Sequence, residues 1–356
     1  MNARHHSKQT GYTLIELLIA LTIGAFLIGG ILQLYVGSKK SYSTQQALTE
    51  LQEVGRFSLN MMVRDIRLAG FMGCGNAATV INTLNNGTTN WEYDAATSIV
   101  GYEAGSTFPA DFSGLALAGT DALTITRAIP EDRYVVQSHS PATATITLDA
   151  AHDIQAGEVL AITDCLNTAI FQQTNANTGN TATTIINASG AGSPGNCTQG
   201  LGEPLDCSTA TGTPYQYDED SFVLRLMSRA YYVGTGASGR SALFRMTLGA
   251  NGSLGTPVEI ADGVVDMELV YGVDTDFDGS IDAYQRANAI STANWANVLS
   301  VQINLLMEST DDRVADNPQS YILFDGTTAS LTPVTPTDRR LRRVYSSTTT
   351  IRNRVL

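Results

Sequence analysis

The densest chemistry in the chain is the run Asp274-Thr275-Asp276-Phe277-Asp278-Gly279-Ser280-Ile281-Asp282. Its D-x-D-x-D-G-x-x-D order follows the start of an EF-hand-like calcium loop. In such a loop the first three carboxylates converge because the backbone wraps. Asp274, Asp276 and Asp278 take those places, and Gly279 permits the sharp turn. Ser280 offers its backbone carbonyl, and Asp282 ligates directly or through water. Oxygen ligands at this density suit Ca²⁺ over softer metals. Two departures matter. Gln285 stands where an EF-hand has its bidentate glutamate. The flanks read as strands, not helices. The expectation is a calcium-stabilised loop with no sensor role, against the plainer reading of an acidic turn. No cofactor is required.

The four cysteines, Cys74, Cys165, Cys197 and Cys207, form no C-x-x-C pair, and histidine is scarce. Zinc is therefore disfavoured. In an exported domain, two disulfides are the natural reading. Of the three pairings, Cys74–Cys165 with Cys197–Cys207 is favoured, because the second pair closes a short Gly/Pro-containing loop; sequence alone leaves the others open. Catalysis finds little support. Beyond the first residues only His139 and His152 remain, and His152, in a loop-like Ala-Ala-His-Asp, reads as a capping or solvated residue. There is no G-x-S-x-G, H-E-x-x-H or phosphate-binding loop.

Among the elements that must carry these residues, the apolar stretch Gly11–Val36 dominates the chain. As a helix it would extend roughly 39 Å, enough to cross a bilayer. Arg4 and Lys8 precede it, which places the N-terminus in the cytoplasm and the bulk outside. A cleavable secretory signal has a shorter apolar core and a small-residue cut site. Glu16 lies inside the stretch, where a charge costs about 3 kcal/mol or more unless a cation is close.

Gly11-Tyr12-Thr13-Leu14-Ile15-Glu16 resembles the type III signal sequence of type IV prepilins and type II secretion pseudopilins. The resemblance implies that prepilin peptidase cuts between Gly11 and Tyr12 and that Tyr12 is N-methylated, with tyrosine replacing the usual phenylalanine. It also makes Glu16 the residue that sets helix register. The amine freed at Tyr12, one turn away, could neutralise it within a helix or between neighbours. A second segment, Met62–Gly75, looks like the helix-end signature of the PilW family of minor pilins. The order of AYYV, LFRM, VDMELVYG, Trp295 and VQINL is similar to PilW proteins and to the J-type pseudopilin. Residues from about 76 to 215 carry no such likeness.

These readings imply an α+β, pilin-like fold. A leader spans 1–11. A helix spans 12–70, transmembrane over about 14–36 and packed on the domain beyond. A mostly antiparallel β-sheet domain with long loops spans 71–356. Leu48, Leu51, Val54, Met62 and Ile66 fall near a 3.6-residue period, with Gln45, Gln46, Glu53, Arg56 and Arg64 opposite. Gly70, Gly73 and Gly75 end the helix; Gly24, Gly29 and Gly30 are its soft points. Arg64, Asp65 and Arg67 read as solvated. Strands are expected at Ala122–Arg127, Ala144–Leu148, Val159–Thr163, Phe222–Met227, Ala230–Val233, Leu243–Leu248, Val264–Val273, Val298–Met307 and in the tail. Thr174–Gly212 reads as a surface loop, and Trp91 and Trp295 as core packing.

A net charge of −13 argues against nucleic acid as a partner. The arginines near the C-terminus, Arg339, Arg340, Arg342, Arg343, Arg352 and Arg354, could dock an acidic neighbour or simply cover apolar surface. By resemblance the protein is a non-enzymatic minor pilin. It would sit in the inner membrane with its domain in the periplasm, then enter an extracellular pilus. Prepilin peptidase, other minor pilins, the major pilin and a tip adhesin would be its partners. The alternatives are a J-type pseudopilin, a membrane-anchored adhesin or carbohydrate-binding module, and, last, an anchored hydrolase.

Overall fold

The computed structural model describes residues 11–74, 79–175, 181–327 and 329–354. The leader residues Arg4, His5, His6 and Lys8, and Gly75, lie outside them. Helix α1, Leu14–Arg67, runs unbroken for 54 residues. Thr13 caps it. Its hydroxyl accepts from the Glu16 amide at 3.4 Å, and its own amide donates to Glu16 Oε2 at 2.9 Å. This reciprocal pair satisfies amides that a helix start otherwise leaves free. The helix passes Gly24, Gly29 and Gly30 without a break. It gives way at Leu68, with Gly70 at φ 74° just beyond, a left-handed conformation that costs glycine little.

The two halves of α1 have different surroundings. Residues 14–36 are exposed on nearly every face. From Ala47 a stripe turns inward: Ala47, Leu51, Gly55, Ser58, Leu59, Met62, Asp65 and Ile66 are buried. Leu48 and Val54 flank it, while Gln45, Gln46, Glu53, Arg56 and Arg64 face out. That is the expected 3.6-residue periodicity, and it places the head against the second half only. Fully burying side chains such as Met62 and Ile66 stabilises by about 1.5–3 kcal/mol each.

The strands follow in order: β1 Thr79–Asn82, β2 Ile99–Tyr102, β3 Ala122–Ser140, β4 Thr145–His152, β5 Val159–Thr163, β6 Asn167–Gln172, β7 Ala182–Ile186, β8 Phe222–Thr235, β9 Ser241–Thr247, β10 Val258–Asp262, β11 Val264–Val273, β12 Ala283–Gln285, β13 Val298–Glu308 and β14 Arg342–Thr350. The first ten make one branched sheet with the path β1-β6-β5-β8-β3-β4-β7; β2 adds to β3, and β9 and β10 extend from β8. The last four make a second sheet, β12-β11-β13-β14. Among the described residues every strand pairing is antiparallel except β1 with β6. The main core lies between α1, the small sheet and the near half of the large one, with Met62, Ile66, Tyr231, Met267 and Ile303 all buried in it.

The α+β architecture of long helix and looped β domain is as expected, and β5 and β11 have the expected bounds. Several details differ. Phe222–Met227 and Ala230–Val233 are one strand, because the polar step between them is satisfied inside: Ser228 Oγ donates to the Glu92 carbonyl at 2.6 Å. β3 runs far past Arg127, shifting register between Ala128 and Arg133. Thr174–Gly212 is no mere surface loop. It contributes β7, and Ile185 and Leu201 are fully buried. Amides replace apolar bulk there: Asn196 Oδ1 accepts from the Gln172 amide at 2.7 Å, and its Nδ2 returns a bond to the Gln172 carbonyl at 2.8 Å.

Candidate functional site

Gly11, Tyr12 and Thr13 form a short, exposed, non-helical lead into α1. Glu16 already has local partners in the uncut chain, since Thr13 Oγ1 also donates to its Oε2, at 3.0 Å. Tyr12 directly precedes the cap, so an amine released there would emerge beside the group that Glu16 occupies. From that point the helix presents Leu14, Ile15, Leu17, Leu18, Leu21 and Phe26 to the outside. An 18-residue window has mean hydropathy 2.4 and none of it is buried. The segment is long and apolar enough to span a membrane, and no described residue of the head covers it.

The other end of the helix is fastened by a charge. Asp65, expected to be solvated, is 2% exposed. Arg229 Nη1 donates to its Oδ2 at 2.6 Å, the Tyr231 hydroxyl donates to the same oxygen at 2.5 Å, and Arg127 lies 3.6 Å from Oδ1. The expectation failed because the partners are far away in sequence. The partners come from β3 and β8, which pass beneath the last helical turns. Burial lowers the Arg127 pKa, and Asp65 draws it back up. Burial first, then Asp65, also pushes the Tyr231 phenol well above its ordinary value. One signal was readable: Asp65 falls in phase with the inward stripe, beside Ile66. Around this anchor the Arg352 amide donates to the Arg67 carbonyl at 3.0 Å, and Asn353 Nδ2 to the Ala69 carbonyl at 3.3 Å. Farther up the helix, Lys40 pairs with Asp316.

The aspartate-rich loop joins β11 to β12, so its flanks are strands, as expected. It gathers Asp274, Asp276 and Asp282, each offering an oxygen within 4.8 Å of the others. Asp278 is not in that group. Its Oδ1 accepts from the Ser280 amide at 2.7 Å instead. Buried Asp274 shapes the turn, accepting from the amides of Phe277 at 2.7 Å and Gly279 at 2.9 Å. Asp282 accepts from the Thr275 amide and hydroxyl, which holds its pKa low. Asp276 is pushed up, by desolvation and then by Asp278 and Asp282. Gly279 sits at φ 86°, as the sharp turn requires.

The cysteines pair as Cys74–Cys165 and Cys197–Cys207. Trp295 is buried edge-on to Tyr271, ring centroids 4.9 Å apart, and Trp91 packs on Phe112. His152 is buried, not solvated; its Nδ1 accepts from the Ile154 amide at 3.2 Å. His139 Nδ1 accepts from the Tyr217 amide, and burial pushes its pKa down to about 4. The C-terminal arginines divide. Arg342 pairs with Asp338 at 2.6 Å and Glu308 at 2.7 Å, Arg340 bonds the Ser309 carbonyl at 2.8 Å, and Arg354 bonds the Trp295 carbonyl at 2.6 Å. Arg339, Arg343 and Arg352 stay exposed.

Residues 6–32 match the sequence profile described as the prokaryotic N-terminal methylation motif. Residues 230–353 match the profile described as type IV pilus-assembly protein W, PilW. No curated protein and no solved structure matches the chain. A methylation motif at the head of an exposed apolar helix, with a PilW-like stretch in the β-rich domain, supports a type IV pilus-related pilin. Within that class the resemblance is to PilW, carried by the C-terminal part of the chain. The matched part is the end of β8 with β9 to β14, and it includes β10, β13 and β14, which pack on α1. The unmatched middle builds β1 to β7.

Proposed function

We propose that this chain is a minor pilin of the type IV pilus. Prepilin peptidase cuts it between Gly11 and Tyr12 and methylates Tyr12. The inner membrane holds the precursor by residues 14–36, with the head in the periplasm. The apolar half-helix then leaves lipid to pack among the helices of other minor pilins and the major pilin. The observation that carries this reading is the apolar half-helix, which the head leaves bare beside the methylation motif. A head of this size fits poorly in a repeating wall and well at a tip, so the protein acts in a priming complex and can support a tip adhesin. Its part is structural, with no catalysis. A J-type pseudopilin would use the same helix and cut, and would differ in the system it serves.

Glu16 sets register between neighbouring helices. Glu16→Ala leaves membrane insertion intact and sharply reduces the number of pili recovered by shearing. Normal piliation in that variant would remove Glu16 from the mechanism.

The aspartate loop binds calcium through Asp274, Asp276 and Asp282, with Ser280 and Asp278 completing the turn. Mass action then ties stability to calcium, about 2.7 kcal/mol at a hundredfold excess over Kd. Chelating calcium lowers the melting temperature of the detergent-solubilised chain, and Asp276→Asn shrinks that shift. A melting temperature indifferent to chelator would leave the loop a simple turn.

A further inference from the structure

Three carboxylates from separate stretches meet where the two sheets touch. Glu103 follows β2, Asp121 precedes β3, and Glu268 lies in the middle of β11. Each contributes an oxygen, and the three oxygens lie within 4.8 Å of one another. Glu103 is 4%, Asp121 1% and Glu268 9% exposed.

Their supports are unequal. Asp121 is held from both sheets: Oδ1 accepts from the Ala104 amide at 2.8 Å and Oδ2 from the Leu269 amide at 2.9 Å. Its own amide donates to the Met267 carbonyl at 2.9 Å. Glu103 rests on Arg286, whose Nη2 stands 2.5 Å from it and 3.2 Å from Asp325. Glu268 has no ion pair among the described residues. Its buried Oε2 has no hydrogen-bond partner among them, and neither has Glu103 Oε2. The fully buried Tyr271 hydroxyl is likewise without a partner among them, and it lies against Gly101, on the face of β2 that Glu103 shares two residues later.

Charge is out of balance as well. Asp266 and Asp325 also act on Glu268, and among the described residues Arg286 is the guanidinium that faces this group. Burial first, then Asp121, Asp266, Glu103 and Asp325, pushes Glu268 up to about 9. Burial and Glu103 likewise push Asp121 up to about 7. Carboxylates left in this state either keep a proton or take a cation. A buried acceptor with no donor, aimed at two further carboxylates, is what a hard cation satisfies and a salt bridge here does not.

We propose that Glu103, Asp121 and Glu268 form an interior site for a hard divalent cation of the calcium class, distinct from the aspartate loop. The ion joins β2 and β3 of the large sheet to β11 of the small one, at the point where Asp121 already bridges them. It thereby rigidifies the part of the head that cradles α1. This goes beyond the pilin reading and does not depend on it.

The test is calcium titration of the whole chain in detergent, by calorimetry and by thermal melting. In Asp276→Asn/Asp282→Asn, both exposed positions, the outer loop is disabled. This double variant retains one bound equivalent and a calcium-dependent rise in melting temperature. Adding Glu268→Gln abolishes both. In calcium-free buffer at neutral pH, Glu268→Gln alone melts no lower than the parent, because without the ion the buried acid already carries a proton and the amide replaces one neutral group by another; in saturating calcium it melts lower. A double variant that binds no calcium overturns the proposal, and so does an equal wild-type-to-Gln difference with and without calcium, which means a shared proton. The double variant decides between these outcomes even where Glu268→Gln does not fold.

Discussion

Asp65 shows how one residue can serve two purposes. Its carboxylate is out of water, so it needs its cations, and those cations belong to the head. The ion pair therefore fixes the rotation of the helix on the sheet as well as its position. Asp65→Asn keeps the shape but leaves buried Arg127 and half-buried Arg229 without that counter-charge. Removing one partner of such a group costs about 3–5 kcal/mol. The expected result is a melting temperature lower by many degrees, with the apolar half of α1 unaffected. A melting temperature within error of wild type would show that the pair holds nothing. The aspartate loop was legible in the sequence because its residues are neighbours and the spacing itself encodes the turn. Asp65 was legible only as an acid in phase with an apolar stripe. Glu103, Asp121 and Glu268 were not legible at all, since nothing local links three single acids separated by long stretches of chain.

At the scale of elements, α1 meets the small sheet through a missing side chain. A Cβ at Gly55 would stand 2.7 Å from the Tyr345 ring of β14. The helix can lie this close to the strand because residue 55 has none. Alanine is a better helix former than glycine by about 1 kcal/mol, so in a free helix Gly55→Ala would stabilise. Here the overlap wins, because forcing a group into a packed contact costs typically about 1–3 kcal/mol. Gly55→Ala is expected to lower the melting temperature, and pairing it with Tyr345→Ala to recover part of the loss. A more stable single variant would contradict the close approach. The sequence showed this helix well, since its periodicity is local. It showed β11 and β13 well because apolar residues recur at every second position along much of each strand. It split β8 at Ser228-Arg229 because two polar residues there have their partners elsewhere in the chain. It missed β7 because a Thr- and Asn-rich run is held by side-chain amides, for which hydrophobic patterning has no signal.

The whole molecule pairs a satisfied head with an unsatisfied helix. The head closes two sheets over the second half of α1 and pairs three of its C-terminal arginines internally. The first half of α1 is bare of apolar partners among the described residues, and water is a poor solvent for it. Lipid provides one environment and a bundle of like helices another. On the proposed reading the chain moves from the first to the second once its leader is removed. The pilin reading therefore stands or falls on Gly11-Tyr12. The measurement that addresses it is the intact mass of the protein co-expressed with a prepilin peptidase. The expected mass lacks residues 1–11 and carries one added methyl group on Tyr12. A full-length, unmethylated mass in the presence of active peptidase would contradict that reading and reduce the helix to a plain membrane anchor.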